Sequence, residues 1–131
     1  MKESTPKPSL EEIESLAYEA YAAIPAELRE QVTDVVIRIE ELPDAATCEE
    51  MELESPFHLL GLYRGVPFGE RSVLDAPQEV DMIFLYRMPM LRYAEETGED
   101  LFHLVRHVLI HEIGHHFGLS DEDMETIENG V

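Results

Sequence analysis

The spacing of apolar residues changes several times along this chain, and each spacing predicts an element. Leu10, Ile13, Leu16, Ala17, Ala20 and Ile24 recur at steps of three and four, the period of one helix face. Ser9 and Glu12 stand in front of that run as a capping box, so a helix is expected over residues 10–23. Pro25 opens a short helical turn over PAELREQV, since proline is tolerated at a first helical position. From Val32 to Leu42 the period becomes two. Val35, Ile37 and Ile39 share one face while Val36, Arg38 and Glu40 share the other, which predicts a strand.

Pro43 to Glu54 is acidic and aperiodic, and is expected as a surface loop. LLGLYRGV, residues 59–66, predicts a second strand, and MIFLYR, residues 82–87, a third. Between them Gly65, Pro67 and Gly69 mark a bend. The stretch from Pro67 to Val80 is expected as a long connection, a candidate lid or mask. Pro89 to Glu96 predicts a short helix. Thr97 and Asp100 then precede a helix placed at 99–117, capped by Asp100. A last short helix is expected over 121–128, with Ser120 as its cap. Helix, three strands, then helices make the expected class α+β, a small sheet packed against one long helix.

Composition narrows the picture. Residues 1–8 carry two of the prolines and little apolar content, and are expected as a flexible tail before one domain over 9–131. No long apolar run predicts a membrane span or a secretory signal, so a cytoplasmic protein is expected. The net charge of −20 disfavours nucleic acid and anionic membranes as partners. It suits a basic peptide or simple solubility. The single cysteine, Cys48, permits no internal disulfide and is expected as a free or partly buried thiol.

The chemistry gathers in HEIGHHFGLSD, residues 111–121. His111 and His115 are four apart, so a helix puts both imidazoles on one face, one turn apart. Such a pair closes on a metal ion. Glu112, one step round, can hold a water beside the ion without being a ligand. This is the HExxH pattern of zinc hydrolases. Gly118 stands where the helix needs a positive φ to stop, and Asp121 follows three residues later as the third ligand. The flanking Leu101, Leu104, Val105, Val108, Leu109, Ile110 and Ile113 make the helix apolar over much of its surface. That predicts burial, and buried polar side chains need partners.

The full spacing, HExxHxxGxxD, together with GLYRGVPFGERS and MIFLYR, resembles the small bacterial zincin-like metallopeptidase family of minimal, metzincin-type domains, from about Val32 onward. The resemblance implies a compact zincin-like fold, one Zn2+ per chain on His111, His115 and Asp121, Glu112 as the catalytic carboxylate, and a peptide or protein substrate. The chain departs from larger metzincins in two respects. They carry a methionine turn well beyond the third ligand, whereas here ten residues follow Asp121 and Met124 is the methionine among them. Met124 is expected in the core. No tyrosine follows Asp121 to stabilise an oxyanion. Two neutral imidazoles and one carboxylate leave the ion a formal charge of +1, which can serve instead.

Other side chains compete for roles. His103 and His107 continue the four-residue spacing backwards and are expected half-exposed, with an adjacent metal site as the alternative. His116 points about 140° from His111 and is expected as a hydrogen-bonded, partly buried ring. Glu122 and Asp123 are rival third ligands set aside on spacing. Glu125 and Glu128 would suit a zincin class with a later glutamate, and Gly118 speaks against that class. Arg64 and Arg71 are expected in structural ion pairs. Either MIFLYR or LLGLYRG can serve as the sheet edge along which a peptide adds. Two other functions fit parts of the pattern. One is a metal-dependent RNA hydrolase, against which Glu112 and the negative charge count. The other is a non-catalytic module stabilised by zinc.

Overall fold

A computed structural model describes residues 7–30, 32, 35–68 and 78–129. The flexible tail expected over residues 1–8 falls largely on residues 1–6, outside the described residues. Helix α1 runs Leu10–Ala22, and Ser9 and Glu12 close the expected capping box. Helix α2, Ala26–Arg29, is a single turn with Pro25 at its N-cap rather than at its first position. Strand β1 spans Val36–Glu40, shorter than expected. Ile37 is buried and Val36 and Arg38 are exposed, the alternation of a strand with one wet face.

The expected loop over 43–54 contains a helix, α3, Ala45–Glu50. Asp44 starts it by accepting from the Thr47 backbone N–H at 2.8 Å. An N-cap bond of this kind can seed a short helix that apolar periodicity does not signal. A 3₁₀ turn, Pro56–His58, leads into β2, Gly61–Phe68. Strand β3, Gln78–Tyr86, starts four residues earlier than expected. The connection is therefore shortened at both ends. Arg71 and positions 69–77 of the candidate lid, Pro67 to Val80, lie outside the described residues, and the two ends of that segment are strand. Arg87 belongs to the next helix, not the strand. Helix α4 is Arg87–Thr97 and ends on Gly98 at φ 73°. Helix α5 is Leu101–His116 with Asp100 as its cap, and α6 is Asp121–Asn129.

The sheet order is β1-β3-β2, with β1 parallel and β2 antiparallel to β3. MIFLYR therefore lies in the central strand and cannot be the edge, while LLGLYRG lies in an edge strand. The class is α+β, as expected. Helix α5 packs against α1 on one side and β2, α4 and α6 on others. This explains why its apolar residues surround most of its circumference. Leu104, Val105, Leu109, Ile110 and Ile113 are buried with Ile13 and Ala17 of α1, Ile83 and Leu85 of β3, and Met124 of α6. No helix among the described residues is long and apolar enough to cross a membrane.

Candidate metal centre

The geometry of the centre starts with two close approaches of helix α5. The first is to β2. A Cβ on Gly61 would meet Val108 Cγ1 at 2.7 Å and the Phe84 carbonyl oxygen at 3.0 Å. Only a residue without a side chain lets the helix sit this close to the strand. Val108 and Glu112 share a helix face, and Gly61 and Tyr63 share a strand side. The approach at Gly61 thus brings Glu112 to β2, where its Oε1 accepts the Tyr63 backbone N–H at 3.1 Å.

That bond fixes where Glu112 lies. Leu60 accepts from Tyr86 of the neighbouring strand, so the backbone groups of residues 60, 62 and 64 point toward β3. Those of 61, 63 and 65 then point outward. Glu112 is therefore seated at the edge of β2 away from β3, where no other strand among the described residues pairs. Burial raises its carboxyl above the ordinary carboxylate range, while the Tyr63 N–H and nearby His115 pull it back down.

The second approach is to α6. A Cβ on Gly114 would collide with the Sδ of Met124 and stand 2.8 Å from its Cγ. Met124 is fully buried, so it packs in the core as expected. The turn between the helices closes on Gly118 at φ 75°, the left-handed conformation foreseen for it. Leu119 donates back to the Gly114 carbonyl at 2.8 Å. Ser120 then caps α6, accepting from the Asp123 N–H at 3.0 Å. Helix α6 runs back along α5 and carries Asp121 to His115, whose Nε2 stands 3.6 Å from Asp121 Oδ1.

His111, His115 and Asp121 each offer a ligand atom, and these atoms lie within 4.8 Å of one another. Donors around a tetrahedral zinc stand about 3.4 Å apart, so the trio needs little movement to close on an ion. Burial and the neighbouring His107 lower the pKa of His111. Its ring is thus neutral near neutral pH, with a lone pair for metal. The donor set, two imidazoles and a carboxylate, is that of a zinc site with room for a further ligand. The residues therefore fit the ion that the motif implies.

Several residues stand elsewhere than expected. His116 is exposed rather than partly buried, and stacks on the Tyr63 ring at 3.9 Å, with no hydrogen bond from its ring among the described residues. Being at the last turn of α5, it hangs over the edge of β2. His103 is exposed. His107 is half-buried and its Nδ1 lies 2.6 Å from Glu128 Oε1. His107, His111 and Glu128 form a second group whose donor atoms lie within 4.8 Å of one another. Glu122, Asp123 and Glu125 are exposed and outside both groups. Arg64 pairs with Glu50 at 2.7 Å, the structural use expected. Cys48 is partly buried, its Sγ 3.8 Å from the Pro43 carbonyl oxygen.

Sequence reasoning missed Tyr63, since no motif marks a backbone N–H from a strand forty-nine positions away. It also missed the pairing of His107 with Glu128. The repeated four-residue histidine spacing was its one available signal. A family model described as Zincin-like metallopeptidase matches residues 21–131. No curated protein sequence matches the chain closely enough to count as a relative.

Proposed function

The chain belongs to the zincin-like metallopeptidase family, and on that premise we propose that it is a zinc-dependent peptidase with Glu112 as its general base. His111, His115 and Asp121 would hold the zinc. When bound, zinc lowers the pKa of a water toward neutrality and polarises a substrate carbonyl. Glu112 takes the proton that the water gives up and passes it to the leaving amine. The Tyr63 N–H steadies one carboxylate oxygen at 3.1 Å and leaves the other for the proton. Partial burial raises the pKa of this carboxyl, a shift in the direction a base working near neutral pH needs.

The observation that carries this reading is the position of Glu112 at the outer edge of β2. An extended peptide adding to that edge would use the outward backbone groups around Tyr63. Its scissile bond would pass beside Glu112 and His115. A chain carrying −20 charges favours basic peptides as partners and repels the phosphates of RNA, which weighs against the RNA hydrolase.

Zinc-loaded protein should cleave members of a mixed peptide library, with basic sequences preferred, and leave RNA intact. Glu112→Gln should keep zinc and lose cleavage. Equal cleavage by the wild type and this variant would overturn the assignment of the base.

A further inference from the structure

Helix α5 carries four histidines at successive four-residue steps, His103, His107, His111 and His115, and the last three form a row. Helix α6 runs back along it and meets the row with a carboxylate at each end. Asp121 stands 3.6 Å from His115, and Glu128 stands 2.6 Å from His107 and 3.7 Å from His111. The spacing is matched on both sides. His107 to His115 covers about 12 Å of helix rise and Asp121 to Glu128 about 10.5 Å. The buried contact of Met124 with Gly114 fixes the two helices between these ends, and Glu128 lies one turn beyond Met124 on the same face.

We propose that His107, His111 and Glu128 form a second position for a divalent cation, overlapping the first through His111. A neutral imidazole offers one lone pair, so His111 serves one ion at a time. The chain then holds a single ion that occupies either of two places.

The chemistry of the second place supports a ligand role. Glu128 is the more withdrawn carboxylate, its side chain 19% exposed against 88% for Asp121. Its ion-pair partners among the described residues are imidazoles alone, with no lysine or arginine. An imidazole pair four residues apart and one carboxylate repeat the donor set of the first place. The centres of the two histidine pairs differ by about 6 Å along the axis. An ion in the second place is therefore a turn away from the position beside His115, the place on which the proposed role of Glu112 depends. It is a resting position, out of reach of the base. This consequence rests on the assignment of Glu112 above; the second position itself does not.

The test uses Zn2+ as probe, with affinity measured against a competing chelator and histidine ring resonances followed by NMR. Asp121→Ala should still bind one zinc, with shifts at His107 and His111. Glu128→Gln should also bind one zinc, with shifts at His111 and His115. The Asp121→Ala, Glu128→Gln double variant should bind at least a hundredfold more weakly than either single variant. All these side chains are at least partly exposed, and circular dichroism checks that each variant folds. If Glu128→Gln causes no further loss in the Asp121→Ala background, or if zinc never moves the His107 resonances in that variant, the second position does not exist. Zinc binding in both places without any peptide cleavage would instead sink the peptidase and leave this proposal standing.

Discussion

The backbone N–H of Tyr63 donates to Glu112 Oε1 at 3.1 Å, joining the edge of the sheet to the helix that bears the two motif histidines. The bond holds one carboxylate oxygen and leaves the other without a hydrogen-bond partner among the described residues. A glutamine at 112 keeps a carbonyl for that N–H but has no basic oxygen. Glu112→Gln should therefore fold normally and bind zinc, while peptide hydrolysis falls by roughly 10²–10⁴-fold. Parallel measurements of zinc affinity and kcat/KM check this.

The contact depends on Gly61. An alanine there must displace Val108 or the Phe84 carbonyl, and the second is backbone. Gly61→Ala should cost about 1–3 kcal/mol of stability and lengthen the Tyr63–Glu112 bond as α5 moves off β2. Urea unfolding reads the first effect. Loss of hydrolysis with zinc affinity retained reads the second, because α6 and the histidine row move together with α5.

Gly114→Ala acts on the other side of the same helix. The new methyl group meets Met124, which is fully buried and has little room to swing. The expected cost is again about 1–3 kcal/mol. Here zinc affinity should fall, because Met124 sets the distance from α6 to α5 and so the position of both Asp121 and Glu128. Unchanged affinity in a destabilised variant would mean that the carboxylates are placed by the Gly118 turn alone.

Alkaline titration addresses Tyr63 itself. Burial is the main cause of its raised pKa, and its hydrogen bond to Asp81 adds to it. The folded pKa thus exceeds the ordinary 10.0 of an unfolded tyrosine. The stability this contributes is complete below that value and is lost as pH rises through the folded pKa. Tyr86 is also held up, to about 12, by burial. Subtracting the phenolate absorbance curve of Tyr63→Phe from that of the wild type should leave one phenol ionising well above pH 10. A difference curve centred on the ordinary value would contradict both the burial of this phenol and its Asp81 bond.

Removal of metal separates an enzyme from a module that zinc merely holds together. The buried core of Ile13, Ile83, Leu85, Leu104, Leu109, Ile110, Ile113 and Met124 is apolar and forms without any metal ligand. After chelation the protein should keep its helical circular dichroism and unfold cooperatively. Zinc at a hundredfold excess over its Kd should add about 2.7 kcal/mol. A chain that unfolds on chelation would instead fit the structural module.

Periodicity and capping were enough to foresee α1, β1, α5 and α6, because each carries a local signal: Ser9 with Glu12, alternating Ile37 and Ile39, and Asp100 and Ser120 before their helices. They failed for α3, where Asp44 acts without an apolar face beside it. They also misplaced the end of β3, since Arg87 begins a helix with no connecting residues at all.

The motif likewise determined which side chains share a face: His111 and His115 by helical period, and Gly118 by the positive φ that ends the helix. Those are relations within one element, written in residue spacing. Which partner each side chain meets was decided by the tertiary structure. The edge of β2 against Glu112 depends on strand order, and His116 against Tyr63 depends on how α5 crosses that strand. Glu128 beside His107 depends on the angle at which α6 returns. Such pairings follow from packing at Gly61, Gly114 and Met124, contacts between residues distant in the chain that no local pattern records.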